Sequence, residues 1–137
     1  MDGERNLGKL IGAMMPELRE GEFVFCTLSP ERYEELGIQP VGLFREEEGI
    51  TLILQRDIAE GAGLAYVYES CMITLSVHSS LEAVGFLAVI TQTLAEAGIS
   101  VNPVSAYYHD HLFVPVDKAE LALEVLNRLV IEAGQER

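Results

Sequence analysis

Two hydrophobic periods alternate along the chain, and each switch between them marks an element. In the second half, Cys71-Met72-Ile73-Thr74-Leu75-Ser76-Val77 has the composition of a strand, and Leu81 to Ala97 is apolar at helical spacing nearly all round. Ile99-Ser100-Val101 re-enters a strand after Gly98, a good residue just past a helix end. Val104 to Tyr107 and Leu112 to Val116 then flank Tyr108-His109-Asp110-His111 as a hairpin, and Leu121, Val125, Leu129 and Val130 stripe a final helix. Ser79-Ser80-Leu81-Glu82 and Asp117-Lys118-Ala119-Glu120 both have capping-box spacing and predict the two helix starts. This order fits a split βαβ unit, one helical layer on one sheet.

The first half follows the same order with shorter helices. Leu7, Leu10, Ile11, Met14, Met15 and Leu18 predict a leading amphipathic helix broken or kinked at Pro16. Phe23 to Leu28 reads as a strand, and Ser29-Pro30-Glu31 as an N-cap with proline at the first helical position of a helix to about Leu36. Val41 to Phe44 and Ile50 to Leu54 flank the charged turn Arg45 to Gly49, Asp57 to Glu60 is a helical turn, and Ala65 to Tyr68 is a further strand. Pro40 to Phe44 aligns with Pro103 to Tyr107, and Asp57-Ile58-Ala59-Glu60 with Asp117-Lys118-Ala119-Glu120, which reads as an internal duplication. The expected units are residues 1–69, with the leading helix, and 70–137, joined at Glu69-Ser70. Units of roughly 65 to 70 residues are marginal alone, so a shared core is expected. The apolar helix from Leu81 to Ala97 calls for cover on its outer face, from the first unit or a second chain.

Charge narrows the function classes. Nine Lys and Arg stand against 22 Asp and Glu, a formal net charge of -13 spread along the chain. Without a basic footprint, nucleic-acid binding and membrane-surface binding are both excluded. No apolar run approaches the length of a bilayer span, and Met1-Asp2-Gly3-Glu4-Arg5 leads into no signal-peptide core, so a cytoplasmic protein is expected. Cys26 and Cys71 sit in apolar strands and read as small buried thiols, and three His with no CxxC offer too few ligands for a Cys/His zinc site.

The stretch Ser70 to Phe86, together with Val104-Ser105-Ala106-Tyr107-Tyr108-His109-Asp110-His111-Leu112-Phe113-Val114-Pro115, resembles the ACT domain. The whole chain resembles a bacterial family of tandem ACT-like proteins with no assigned activity. The opening Met15-Pro16-Glu17-Leu18 with Gly21-Glu22-Phe23-Val24-Phe25 is similar to that family's start. The resemblance implies an α+β, ferredoxin-like βαββαβ sandwich duplicated in tandem. It also implies side-by-side pairing, as a homodimer, around an amino acid or similar effector. Two features differ from that pattern. Glu132 to Arg137 are too polar for a fourth strand of the second unit, and His78-Ser79-Ser80 stand where many effector-binding ACT domains place a glycine.

Chemistry and resemblance meet at the turn after the first strand of the second unit. A helix start there would offer unpaired amides at Ser79, Ser80 and Leu81 to a ligand carboxylate, beside His78. Asn102, Pro103 and Val104 would form the far wall, with the Asn102 amide orienting an ammonium or amide. His109-Asp110-His111 invites a metal, but hairpin chemistry with Asp110 in the turn accounts for it. Ser79 or Ser80 near His78 lacks a spaced acid, so no catalytic residue, metal or cofactor is expected and the chain is not read as an enzyme. The expected function is a regulatory module binding a small molecule, most simply an amino acid. The alternative is an oligomerisation or protein-interaction domain without a ligand.

Overall fold

The computed structural model describes residues 6–135, so the charged start at Met1 to Arg5 and the last two residues of the polar tail lie outside the described residues. The elements run α1 (Leu7–Ala13), β1 (Pro16–Leu18), β2 (Phe23–Leu28), α2 (Pro30–Leu36), β3 (Gly42–Arg45), β4 (Ile50–Gln55), α3 (Arg56–Gly61), β5 (Val67–Leu75), α4 (Phe86–Glu96), β6 (Asn102–Ser105), β7 (Asp110–Pro115) and α5 (Ala119–Gln135). They divide into two compact units, Gly21–Ser70 and the pair of segments Met1–Glu20 and Cys71–Arg137. β5 crosses the boundary, with residues 67–70 in the first unit and 71–75 in the second.

In the Gly21–Ser70 unit the strand order is β3-β4-β2-β5. This is the order of a split βαββαβ unit, with β2 and β4 paired antiparallel from Phe23↔Gln55 to Leu28↔Ile50. Alternation sends Val24, Cys26, Leu52 and Leu54 to one face, where Ala59 of α3 and Tyr33 and Leu36 of α2 pack on them. Ser29 caps α2 by accepting from the Arg32 amide, and Gly37, at φ 60, ends it in a left-handed conformation suited to glycine. Arg56 ties the unit's ends together. Its guanidinium reaches Glu22 at 2.8 Å, Glu60 at 3.2 Å and Glu69 at 3.5 Å, and its Nε also donates to the Tyr66 hydroxyl.

The other unit contains a βαββα run, β5-α4-β6-β7-α5, and its missing fourth strand comes from the N-terminus. β1 pairs antiparallel with β5 through Pro16↔Leu75, Glu17↔Thr74 and Leu18↔Ile73, extended by Arg19 N–H to Met72 O at 2.9 Å and Ser76 N–H to Met15 O at 3.0 Å. Pro16, with no amide to donate, occupies the first strand position, where sheets tolerate it. The leading helix therefore stops at Ala13, and Leu18, read above as a helical position, belongs to a strand. Leu10 and Ile11 of α1, with Met14 just past its end, enter one core with Ile73 and Leu75, Ile90 and Leu94 of α4, and Leu126 of α5. Residues 6–20, assigned by sequence to the first unit, thus pack with the second, because an unpaired edge of β5 and an apolar groove over α4 and α5 are both filled by them.

Both expected capping boxes are absent. α4 begins at Phe86 with Gly85 as its N-cap, and α5 is entered through a 3₁₀ turn at Val116–Lys118 with no side-chain cap. The strand foreseen at Ile99 to Val101 lies instead at β6, and β7 starts at Asp110. Hairpin register also corrects the internal alignment: Arg45↔Ile50 closes one hairpin and Ser105↔Asp110 the other, so Arg45 corresponds to Ser105 and Ile50 to Asp110.

Leu10, fully buried, tests the N-terminal completion. Leu10→Ala should cost about 2 to 5 kcal/mol in urea unfolding. In native-state hydrogen exchange, amides of β7 and α5 should lose protection while those of β2 and β4 keep it. Equal loss in both sets would show that α1 does not belong to the second core.

Candidate functional site

A cavity of about 230 Å³ opens at the start of α4. Its walls are Ser79, Ser80 and Leu81 from the loop after β5, Phe86 to Ala88 at the helix start, and Ser105, Ala106 and Asp110 from the β6–β7 hairpin. The loop from Ser76 to Gly85 is shaped by its own hydroxyls. Ser80 Oγ accepts from the Glu82 amide at 3.0 Å, and Ser80 O accepts from the Ala83 amide at 3.0 Å, closing a tight turn before any helix begins. Gly85 sits at φ 89, where a side chain would be strained, and so aims the first turn of α4. The first amides of that helix, at Phe86, Leu87 and Ala88, have no carbonyl one turn back inside the helix to bond.

Asp110 supplies the negative side of the cavity. Only 6% exposed, it accepts from Ser79 Oγ at 3.1 Å and from Ser105 Oγ at 2.6 Å. A carboxylate has about four acceptor sites, and these two hydroxyls take one on each oxygen. The arrangement places donor amides and a held carboxylate on the walls of one small space.

The structure brings only some of the residues singled out from the sequence together. Ser79, Ser80 and Leu81 do line the cavity, but Ser79 is no N-cap: its hydroxyl is spent on Asp110 and its amide on Val77 O at 3.0 Å. His78 lies outside the lining, its ring tilted against Tyr107 and Tyr108 at 6.4 and 5.8 Å. Asn102, Pro103 and Val104 are exposed along β6, opposite Phe113, Leu112 and His111, and all lie farther from the hairpin turn than Ser105. Ser105 and Ala106 stand at the wall expected of them, because only the turn end of the hairpin reaches the helix start. Asp110 was read as a turn residue but begins β7 with its side chain buried. The available signals were Gly85 directly before the apolar run Phe86-Leu87-Ala88-Val89-Ile90, and an acidic residue at the head of a buried strand.

Two family models, each described as an ACT domain, match residues 2–70 and 67–128. The chain belongs to the ACT domain family. Among solved structures, a Vibrio cholerae protein of unknown function, described as a possible transport protein, is 44% identical over 90% of this chain and 95% of that chain, with a TM-score of 0.82. The ligand-free regulatory subunit of aspartate kinase from Thermus thermophilus is 13% identical over 85% of this chain and 96% of that one, with a TM-score of 0.66. E. coli aspartokinase III, solved with aspartate and ADP, is 14% identical over 85% of this chain and 33% of that chain, with a TM-score of 0.61. At such identities the last two share the fold. A comparison with curated proteins finds no match.

The two ACT domains differ at this position. In the first, β2 ends at Leu28 and α2 begins at Pro30, so Ser29 alone stands where the second has ten residues from Ser76 to Gly85. Pro30 removes one amide from the helix start, the Ser29 hydroxyl satisfies another, and Ile50 replaces Asp110. A methyl group on Gly49 would lie 3.1 Å from Leu28 O, so the hairpin also presses directly on the end of β2. The first ACT domain has closed the space that the second keeps open.

Among the described residues no group of three or more His, Cys, Asp or Glu is placed to hold an ion. Cys26 is buried and Cys71 half-buried, neither in a disulfide, and burial pushes the Cys26 thiol above its ordinary range. No helix among the described residues is long and apolar enough to cross a membrane. His109 Nδ1 lies 3.3 Å from Val77 O, and His111 Nδ1 lies 3.0 Å from Thr74 Oγ1. Arg19 Nε donates to that same hydroxyl at 3.1 Å, which leaves the Thr74 hydrogen for His111 and favours the neutral ring with its proton on Nε2.

Burial, then the positive charges of His109 and Arg19, lower the His111 pKa from the ordinary 6.5, against a smaller opposing pull from Asp110. The folded state resists a proton that the unfolded chain accepts. Above pH 6.5 His111 should leave stability unchanged; below it, stability should fall, levelling off once the pH passes the folded value. Urea midpoints measured from pH 8 to pH 4 should therefore drop less for His111→Gln than for the parent, and parallel curves would show that another group carries the acid sensitivity.

Proposed function

We propose that the protein is a regulatory ACT module whose second domain binds one small zwitterionic effector, an amino acid, in the cavity at the start of α4. The observation that carries this reading is the buried Asp110 carboxylate on the same walls as the amides of Phe86, Leu87 and Ala88. An amino acid presents one anion and one cation a few ångströms apart. Its carboxylate would accept from the helix-start amides, where the helix dipole favours negative charge, and its ammonium would pair with Asp110. Such local donors are needed in a chain of charge -13, whose overall field repels free anions. Leu81, Ala83, Phe86 and Ala106 supply the apolar part of a largely polar lining and would meet the effector's side chain. Membership of the ACT family supports the regulatory reading, and side-by-side pairing of two copies through the free edge of β6 would make the working unit a homodimer.

A specific observation favours the second reading, an assembly domain with no ligand. β3 and β6 are both sheet edges, and they carry exposed apolar side chains, Leu43 and Phe44 on one and Val104 on the other. A thermal-shift screen against the twenty amino acids separates the readings. An effector at a hundred times its Kd should stabilise the fold by about 2.7 kcal/mol, whereas an assembly domain stays flat across the screen and changes only with its own concentration.

For an amino acid found this way, calorimetry should give one site per chain, since the first domain has closed its equivalent. Asp110→Asn should weaken binding by roughly 1.5 to 3 kcal/mol, as for a charge-assisted hydrogen bond. Gly85→Ala, which must strain a positive φ, should weaken it as well by turning the first helical amides. Two sites per chain, or affinity indifferent to Asp110, would move the effector elsewhere.

A further inference from the structure

Three groups diverge from the α-carbon of an amino acid, and the cavity at the start of α4 has three walls of different chemistry. With the effector's carboxylate on the amides of Phe86 to Ala88 and its ammonium on Asp110, the side chain is left facing the loop wall of Ser80, Leu81 and Ala83. That wall is uncharged. Asp110 is the only charged residue on the lining, although charged residues make up 23% of the chain. Its carboxylate has about four acceptor sites, and Ser79 Oγ at 3.1 Å and Ser105 Oγ at 2.6 Å already donate to two of them. The two that remain suffice for the α-ammonium and leave nothing for a second cation, so a lysine or arginine side chain would go unpaired. An aspartate or glutamate side chain fares worse, brought beside Asp110 with no Lys, Arg or His on the lining to offset it.

One hydroxyl on the lining is still unspent. Ser79 and Ser105 give their hydrogens to Asp110, whereas Ser80 Oγ accepts from the Glu82 amide at 3.0 Å and its own hydrogen reaches no acceptor among the described residues. Ser80 is only 7% exposed, and buried polar groups in proteins nearly always have partners. Beside it, the side chains of Leu81 and Ala83 offer contact to a methyl group but no hydrogen bond. The cavity, at about 230 Å³, is smaller than the roughly 300 to 1,000 Å³ of ordinary small-molecule pockets. A side chain that suits this wall is short, uncharged and hydroxylated.

We propose, on the amino-acid reading of this cavity, that the effector is a β-hydroxy amino acid, threonine or serine, and that Ser80 selects it by donating to the effector's hydroxyl oxygen. Calorimetric titration of the full chain with L-threonine and its isostere L-valine, and with L-serine and L-alanine, reads that contact directly. Each hydroxy acid should bind tighter than its apolar match by about tenfold or more, because the match leaves the buried Ser80 hydroxyl unpaired. In Ser80→Ala the ratio of threonine to valine affinity should fall to near one. A serine that merely shaped the loop would weaken threonine and valine alike and keep their ratio, so an unchanged ratio in the variant overturns the proposal. The comparison in the parent needs no variant and stands even if Ser80→Ala disturbs the loop: a parent that binds valine as tightly as threonine, or whose tightest ligand among the twenty amino acids is neither threonine nor serine, also overturns it. If that other ligand is lost in Asp110→Asn, the amino-acid reading of the cavity survives alone. Flat titrations with all twenty overturn both.

Discussion

The pairing of Pro16–Leu18 with Ile73–Leu75 is the contact on which the second domain depends. A βαββα run leaves one edge of its first strand with unpaired amides and carbonyls, and buried backbone groups without partners are costly. The chain's own beginning answers that need. Three residues of strand follow a seven-residue helix, and the helix delivers Leu10, Ile11 and Met14 to the core shared by α4 and α5. So short a helix is marginal in isolation, and its apolar face is what stabilises it. Strand and helix are therefore mutually conditional: the strand positions α1, and α1 supplies the burial that holds the strand.

The same contact reaches the site by two routes. Leu7 of α1 approaches Gly85, where a methyl group would sit 3.7 Å from Leu7 Cδ2, so the helix that completes the core also abuts the residue that aims α4. Arg19, one residue beyond β1, donates to Thr74, and Thr74 in turn contacts His111, which adjoins Asp110 on β7. The fourth strand, the neutral histidine and the cavity carboxylate thus follow one another across the sheet. A polar chain of this kind is stable only while each member keeps its partner, because the buried Thr74 has no water to replace a lost one.

The two tandem ACT domains have the same hairpin register and opposite fates at the helix start. The first uses proline, a serine cap and isoleucine, which remove one helix-start donor, satisfy another and replace the carboxylate. The second inserts a loop, caps with glycine and buries an aspartate. Closure and opening are both local events, decided by a few residues at the strand-to-helix turn and by the residue that begins the strand after the hairpin.

From the sequence alone came most of the strand and helix order, the two tandem units and the ACT resemblance, because periodicity and short-range turn chemistry are local properties. The capping-box reading of Ser79 and Glu82 failed for a tertiary reason. Asp110, distant in sequence, claimed the Ser79 hydroxyl, and with it the helix start moved to Gly85. The far wall was misplaced onto Asn102, Pro103 and Val104 because register along a hairpin depends on which residues oppose each other, and composition does not fix that. The fourth strand could not be found in the polar tail, since it lies at the other end of the chain. Sequence determined what each segment prefers to be; tertiary structure decided which unpaired edge, buried carboxylate and apolar groove each segment would satisfy, because those needs exist only once distant residues meet.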